Sequence, residues 1–423
     1  MLQLQKIREN RDQIIERLAV KNFKATALVD EIIELDNTRR NSQKELDDIL
    51  ALSNQLAKEI GNHYAKGEPG KAELAKQESL KLKAAAKAIE PLLMDTVELL
   101  NAKLIELPNL PHASVPKGKT PEDNEIIYEE GVMPRLPEDA VPHWDLASTY
   151  KIVDFELGNK VTGAGFPFYR GKGARLQRAL INFFLDEAIE AGYTEYQPPL
   201  LVNAASGYGT GQLPDKEGQM YFAPEDNLYL IPTAEVPLTN IYRDVIVKEN
   251  DFPIKNVAYS NCFRREAGSY GKDVRGLNRL HQFDKVEIVQ IQHPDRSYQT
   301  LEEMKDHVAG LLRKLELPFR ILRLCGGDMS FTSALTYDFE VFSAAQNRWL
   351  EVSSVSNFED FQANRMKLRF KDKEGKTRLA HTLNGSALAL PRVVAALLEN
   401  NQSAEGIKIP DALTNYTGFK FID

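Results

Sequence analysis

The sequence predicts an α+β protein in which a long antiparallel helical hairpin precedes a domain built on a mostly antiparallel sheet flanked by helices. Three observations carry this. A 3.5-residue apolar register runs over residues 28–60 and a second one follows to residue 99. Prolines then crowd residues 108–143, and beyond Trp144 short β-rich runs are interleaved with helical stretches.

Leu4, Ile7, Ile14 and Leu18 predict a short leading helix. The first long register steps by four and three through Leu28, Ile32, Leu35, Arg39, Ser42, Leu46, Ile49, Ser53, Leu56 and Ile60, which is the seam of a coiled coil roughly 50 Å long. Gly61, Gly67, Pro69 and Gly70 interrupt it, and the register resumes through Ala75, Glu78, Leu82, Ala85, Ile89, Leu92, Thr96 and Leu99. Two helices joined by a turn near residues 61–70 follow, forming an arm over residues 24–105 within a first domain of residues 1–107. Pro91 removes a backbone donor, so a kink or a restart of the second helix is expected there.

Pro108, Pro111, Pro116, Pro121, Pro134, Pro137 and Pro142 mark residues 108–143 as an irregular connector, which leaves residues 144–423 as the second domain. Strands are expected at 256–260, 285–291 and 319–324, and helices at 174–191, 298–315 and 386–400.

Composition narrows the function. With 43% hydrophobic and 27% charged residues the 423-residue chain reads as a soluble globular protein. The charged N-terminus lacks the apolar run of a signal peptide, and no later run reaches membrane-spanning length, so cytoplasmic residence without a membrane partner is the expectation. Two cysteines, Cys262 and Cys325, form no C-x-x-C pair, and the seven histidines include no H-E-x-x-H, so zinc is not expected. Net charge is −8, so a nucleic-acid partner has to be met by local basic patches.

Several segments carry chemistry. From Asn261 the chain reads Asn-Cys-Phe-Arg-Arg-Glu-Ala-Gly-Ser-Tyr, and after a polar loop Gly-Leu-Asn-Arg-Leu-His-Gln-Phe-Asp-Lys-Val-Glu to Glu287. If both ends are strands, Arg264 and Glu266 share one face and His281, Phe283 and Glu287 share one face of the return strand, and folded as a hairpin the two faces can coincide. A guanidinium for a phosphate, an aromatic face for a base and two carboxylates then converge. A surface cross-strand pair beside a core phenylalanine fits the same residues.

Thr233-Ala234-Glu235 lies between Pro232 and Pro237, where Thr233 could equally cap a helix. Glu351-Val352-Ser353-Ser354 offers oxygen ligands suited to Mg²⁺ beside phosphates, or a plain strand. Thr382 to Arg392 reads as a strand ending at Gly385 and an apolar helix with Arg392 in its first turns, against the dipole preference unless an anion sits there. The glycine-rich stretch from Thr162 lacks the Gly-Lys-Ser/Thr ending of a P-loop.

In joint order and spacing these segments resemble the seryl-tRNA synthetase family of class II aminoacyl-tRNA synthetases over essentially the whole chain. The Phe-Arg-x-Glu segment matches motif 2, the helix from Gly171 with the following Gln-Pro-Pro matches motif 1, and Thr382 to Arg392 matches motif 3. The resemblance implies a homodimeric serine--tRNA ligase that uses ATP and Mg²⁺ to activate L-serine as seryl-adenylate, releases AMP on transfer, and charges tRNA(Ser) and also tRNA(Sec).

By the same resemblance Arg264, Arg265, Glu266, Arg279, Phe283, Glu351, Val352, Ser353, Ser354 and Arg392 form the ATP side, with Arg264, Glu266 and Arg392 catalytic. Thr233, Ala234, Glu235, Arg264, Glu287, Asn384 and Ser386 take serine, and Glu351 and Ser354 hold Mg²⁺. The arm grips tRNA, and Lys71, Lys76, Lys81, Lys83 and Lys87 give its second helix a basic bias that equally fits a solvated face. Two alternatives share parts of the pattern: a synthetase-like amino acid ligase with a non-tRNA acceptor, and a catalytically inactive coiled-coil adaptor.

Overall fold

Two long helices make up most of the first compact unit, Met1–Ala19 with Phe23–Pro108. After α1 (Leu4–Glu9) and α2 (Arg11–Val20), α3 (Thr26–Ala65) and α4 (Pro69–Glu106) run for 40 and 38 residues. Only residues 66–68 link them. Gly67 takes φ +74°, which an L side chain rarely adopts, and Pro69 opens α4 where its missing N–H costs nothing. The turn is therefore shorter than residues 61–70, because Gly61 stays helical at a cost of about 1 kcal/mol that seam burial offsets. Pro91 lies exposed inside α4, and the helix runs through it.

All ten positions of the first register are buried or half-buried. The second is displaced at alternate positions. The seam of α4 follows Ala72, Ala75, Ser79, Leu82, Ala86, Ile89, Leu93, Thr96 and Leu100, while Glu78, Ala85, Leu92 and Leu99 are exposed. Small residues at Ala72, Ser79 and Ala86 fill seam positions, so the larger apolar neighbours mislead a reading by hydrophobicity. Asp36, one step off the first register, is fully buried and held by Arg8 and Arg39. Burial works to raise its pKa, but the hydrogen bonds from Arg39 and Arg8 outweigh it and hold the carboxyl below its ordinary value.

The second unit, Val20–Asn22 with Asn109–Asp423, is built on eight strands. They are β1 (Glu125–Glu130), β2 (Thr194–Glu195), β3 (Ile254–Phe263), β4 (Gln282–Gln292), β5 (Phe319–Arg323), β6 (Leu335–Ser343), β7 (Arg348–Glu359) and β8 (His381–Ala389). Their order is β1-β5-β6-β7-β8-β4-β3-β2, antiparallel throughout except β2 against β3. The computed structural model describes residues 1–266 and 275–423, so the Ala-Gly-Ser-Tyr end of motif 2 and the polar loop to Val274 lie outside the described residues.

One sheet face is covered by α6 (Lys172–Glu190), α8 (Ser297–Lys314) and α10 (Leu390–Asn400), with α5 (His143–Thr149) packed on α10. Leu176, Leu180, Met304, Val308, Val393 and Leu397 pack there on Val286, Ile288, Phe339, Val355 and Leu383. Each such side chain stabilises by about 1.5–3 kcal/mol. The other face carries a smaller cluster in which Leu238 from α7 (Glu235–Asn240) and Met366 from α9 (Phe361–Met366) pack on Val289 and Ile291.

Two further expectations are corrected. The connector contains β1, the edge strand paired with β5, in the proline-free stretch between Pro121 and Pro134. Residues 386–389 are strand and not helix: Ser386 stays in the ladder opposite Glu287, and α10 begins only at Leu390 with Pro391 in its first turn. Among the described residues no helix is long and apolar enough to cross a membrane.

Candidate active site

β3 and β4 pair in register from Ile254 opposite Ile291 to Phe263 opposite Gln282. Cys262 then faces Phe283, and one step beyond the ladder the Arg264 N–H donates to the His281 carbonyl at 2.9 Å. His281 Nδ1 donates back to the Arg264 carbonyl at 3.0 Å, which fixes that ring's tautomer. The two faces converge as expected: the Arg264 guanidinium lies 5.2 Å from the centre of the Phe283 ring, and its Nε reaches the Pro232 carbonyl at 3.4 Å.

The strand alternation does not extend to Glu266. The Arg265 N–H turns away to the Gln219 carbonyl at 2.8 Å, its guanidinium sits 6.0 Å from the Tyr221 ring, and Glu266 takes φ +48°. The Glu266 carboxylate nevertheless meets the Arg279 guanidinium from the returning chain.

Farther along β4 the same face presents Lys285 and Glu287. Both side chains are buried, with Lys285 Nζ 2.5 Å from the Glu287 carboxylate. β8 lies beside β4, so Asn384 Nδ2 and Ser386 Oγ also donate to Glu287, at 3.0 and 3.3 Å. Glu235 opens α7 across the pocket, where its N–H bonds the Thr233 hydroxyl at 3.2 Å. Its carboxylate accepts from Gln362 Nε2 at 2.7 Å. Thr382 donates to Gln362 Oε1 at 2.6 Å, which fixes which end of the amide meets Glu235. Burial, reinforced by the charge of Glu287 and only partly offset by Gln362, pushes the Glu235 carboxyl up to about 7. Thr233 and Ala234 are themselves buried.

Glu351 and Ser354, three apart, would face opposite ways on a regular strand. A register shift between β6 and β7 near Val352 brings both off the main core, since Val352 and Val355 both enter it. The Val352 side chain is thereby turned away from the polar face, and Ser353 donates to the Ser386 carbonyl at 2.5 Å. Ser354 pairs with Asp338 of β6. Asp338 is buried with Oδ1 lacking a hydrogen-bond partner; burial and then the charge of Glu351 raise its pKa well above the ordinary carboxylate value. Arg392, in the first turn of α10, donates from Nε to the Asn278 carbonyl at 2.9 Å and from Nη1 to the Glu351 carbonyl at 2.8 Å.

Lys285, Asp338, Gln362 and Asn278 were not singled out from the sequence. Lys285 was within reach, since it alternates with Phe283 and Glu287 on one strand face. Asn278 stands beside Arg279 but serves through its carbonyl, which no side-chain pattern marks, and Asp338 and Gln362 meet the site only through pairing across distant strands and helices. In the first unit the five arm lysines are exposed; Lys71, Lys76 and Lys81 each pair with a glutamate three residues earlier, at 2.9, 3.7 and 3.1 Å.

Two family models match the chain: the seryl-tRNA synthetase N-terminal domain over residues 1–111, and the tRNA synthetase class II core domain (G, H, P, S and T) over residues 221–401. The serine--tRNA ligase of Salinibacter ruber is 51% identical over 99% of this chain and 98% of its own length. That of Methylacidiphilum infernorum is 47% identical over 98% and 99%. Among solved structures, seryl-tRNA synthetase from Pyrococcus horikoshii complexed with ATP superposes with TM-score 0.93 at 34% identity, covering 99% of each chain. With similarity running through both units and the site geometry described, the chain belongs to the seryl-tRNA synthetase family.

Proposed function

We propose that the chain activates L-serine with ATP to seryl-adenylate and transfers the seryl group to the 3′ end of tRNA(Ser), and also of tRNA(Sec). The observation that carries this reading is strand β4. Phe283 with Arg264 marks one end of its polar face, and Glu287 with Asn384 and Ser386 lies four residues on, roughly 13 Å away. A nucleotide and a small polar amino acid fit side by side along that strand.

In the first step a serine carboxylate oxygen attacks the α-phosphorus, the bond to the bridging oxygen breaks and pyrophosphate leaves. Catalysis of this kind is mostly positioning and charge neutralisation. Arg264 holds the α-phosphate, Phe283 stacks on the adenine, Glu266 accepts from the base, and Arg392 with Arg279 meets the outer phosphates. In the second step a ribose hydroxyl of tRNA attacks the carbonyl carbon and AMP leaves.

Glu287, supported by Asn384 and Ser386, accepts from the serine hydroxyl, and Thr233 with Glu235 takes the ammonium. Alanine brings no hydroxyl to Glu287 and leaves it one hydrogen bond short of its serine-bound set, which is the basis of its rejection. Glu351, Ser354 and the orphaned oxygen of Asp338 form an all-oxygen donor set that fits Mg²⁺. Bound there, Mg²⁺ offsets triphosphate charge.

The first domain, residues 1–107, presents the arm of residues 24–105 to tRNA, and a cytoplasmic homodimer is the assembly this reading carries. Serine-dependent ATP-pyrophosphate exchange tests the first step, and no exchange with serine sinks it. Charging of serine tRNA by the chain with and without the arm tests the second. Unchanged charging without the arm overturns its role.

A further inference from the structure

Residues 275–279, which bring the chain back from the motif 2 loop, are seated on a buried polar network apart from the substrate face. The Arg275 guanidinium lies 4.7 Å from the Trp144 ring. Gly276 has φ +67°, and a Cβ there would stand 2.3 Å from His143 Nε2. The Leu277 N–H donates to that same Nε2 at 2.8 Å, and Asn278 Nδ2 donates to Gln346 Oε1 at 2.9 Å.

His143 and Gln346 share one carboxylate, Glu399. Its Oε1 accepts from His143 Nδ1 at 2.7 Å, from the His143 N–H at 3.0 Å and from Gln346 Nε2 at 2.9 Å, and Ser343 donates to Oε2. Because His143 Nε2 accepts from Leu277, its proton sits on Nδ1 and points at Glu399. Burial alone would raise the Glu399 carboxyl, but hydrogen bonds from His143 and Ser343 outweigh it and hold the group below its ordinary value.

Glu399 belongs to the same helix as Arg392, two turns farther along α10. The helix thus holds Arg392 at one end and, through Glu399, fixes the backbone carbonyl of Asn278 that accepts from Arg392 Nε at 2.9 Å. A circuit closes: Arg392, Asn278, then Gln346 or, by way of the neighbouring Leu277, His143, then Glu399, and back along the helix.

We infer that His143, Gln346 and Glu399 are positioning residues for ATP, acting through Asn278 to set the Arg392 guanidinium. This rests on the reading of Arg392 as a nucleotide contact. A hydrophobic residue at 346 removes both the acceptor for Asn278 and one donor to Glu399, while Glu399→Gln keeps an oxygen for the three bonds at Oε1 and loses only the acceptor for Ser343.

The test is equilibrium binding of ATP with Mg²⁺ to the full chain, together with separate KM values for ATP and serine in exchange. Gln346→Leu weakens ATP about three- to tenfold, the size of one or two lost hydrogen bonds, with serine KM unchanged and Glu399→Gln near the parent. In an Arg392→Lys background, where the Nε fork is gone, Gln346→Leu adds little. Asn278→Ser, which keeps the carbonyl but loses the amide, repeats the pattern should Gln346→Leu misfold. The positioning is overturned if Gln346→Leu has no effect, if it weakens serine equally, or if its effect adds in full to that of Arg392→Lys. If Arg392→Lys alone leaves ATP binding intact, the nucleotide role of Arg392 falls, and the inference with it.

Discussion

The Lys285 ammonium lies 2.5 Å from the Glu287 carboxylate, with the two side chains 6% and 1% exposed. A buried pair of this kind is most costly when half removed. Lys285→Met is expected to lose about 3 kcal/mol in urea unfolding, because Glu287 is left charged without a cation or must take up a proton. Lys285→Met with Glu287→Gln is expected to recover most of that stability while losing serine-dependent exchange. A double variant no more stable than the single one contradicts this.

Glu235 gives a pH dependence. Its carboxyl is raised to about 7 by burial and by Glu287, so below that pH it is protonated, and binding an ammonium must expel the proton. The KM for serine is expected to fall as pH rises through about 7 and to level off above it, whereas Glu235→Gln flattens the profile. The stability sign is the reverse. The folded chain binds the proton more tightly than the unfolded one, so this group's contribution declines between about pH 4.5 and 7 as pH rises. Exchange kinetics and urea midpoints over pH 5.5 to 8.5 check both signs.

The Arg264 guanidinium is held by the Pro232 carbonyl and the Phe283 ring, which preorganises its charge. Arg264→Ala is expected to lower kcat of exchange on the order of 10²- to 10³-fold, as for a removed transition-state donor. Phe283→Leu keeps apolar bulk but loses the ring face, so it raises KM for ATP with a smaller change in kcat. Steady-state exchange with ATP varied separates the two.

The oxygen cluster on β6 and β7 predicts a metal phenotype. Asp338→Asn and Glu351→Gln are each expected to raise the Mg²⁺ concentration for half-maximal exchange about tenfold, and to weaken Mn²⁺ binding with ATP in paramagnetic titration. Serine KM stays near that of the parent. Asp338→Asn is the more informative of the two, because equal Mg²⁺ dependence would remove Asp338 from the donor set.

Local periodicity and alternation make much of the architecture readable in the sequence. The parity of β4 put Phe283 and Glu287 on one face, and the three-four steps of α3 marked its buried side. What escaped was set by partners far along the chain. Asp338 joins Glu351 and Ser354 only because β6 pairs with β7 and a register shift realigns the faces. Gln362 reaches Glu235 across 127 residues. The strand over residues 386–389 was hidden because its ladder partner, Glu287, overrides a helix-like pattern.

The α4 seam yields the last prediction, and it sets burial against hydrophobicity. Ala86 is 7% exposed on the seam, while Leu92 is 54% exposed despite being the more apolar residue. Ala86→Glu buries a charge between α3 and α4 and is expected to cost about 1–3 kcal/mol, while Leu92→Glu stays within about 0.5 kcal/mol. Circular dichroism at 222 nm during thermal unfolding measures both. If the arm serves tRNA and not serine activation, Ala86→Glu lowers charging of serine tRNA while pyrophosphate exchange holds steady. Equal loss in the two assays shows instead that the arm and the activation site depend on one another.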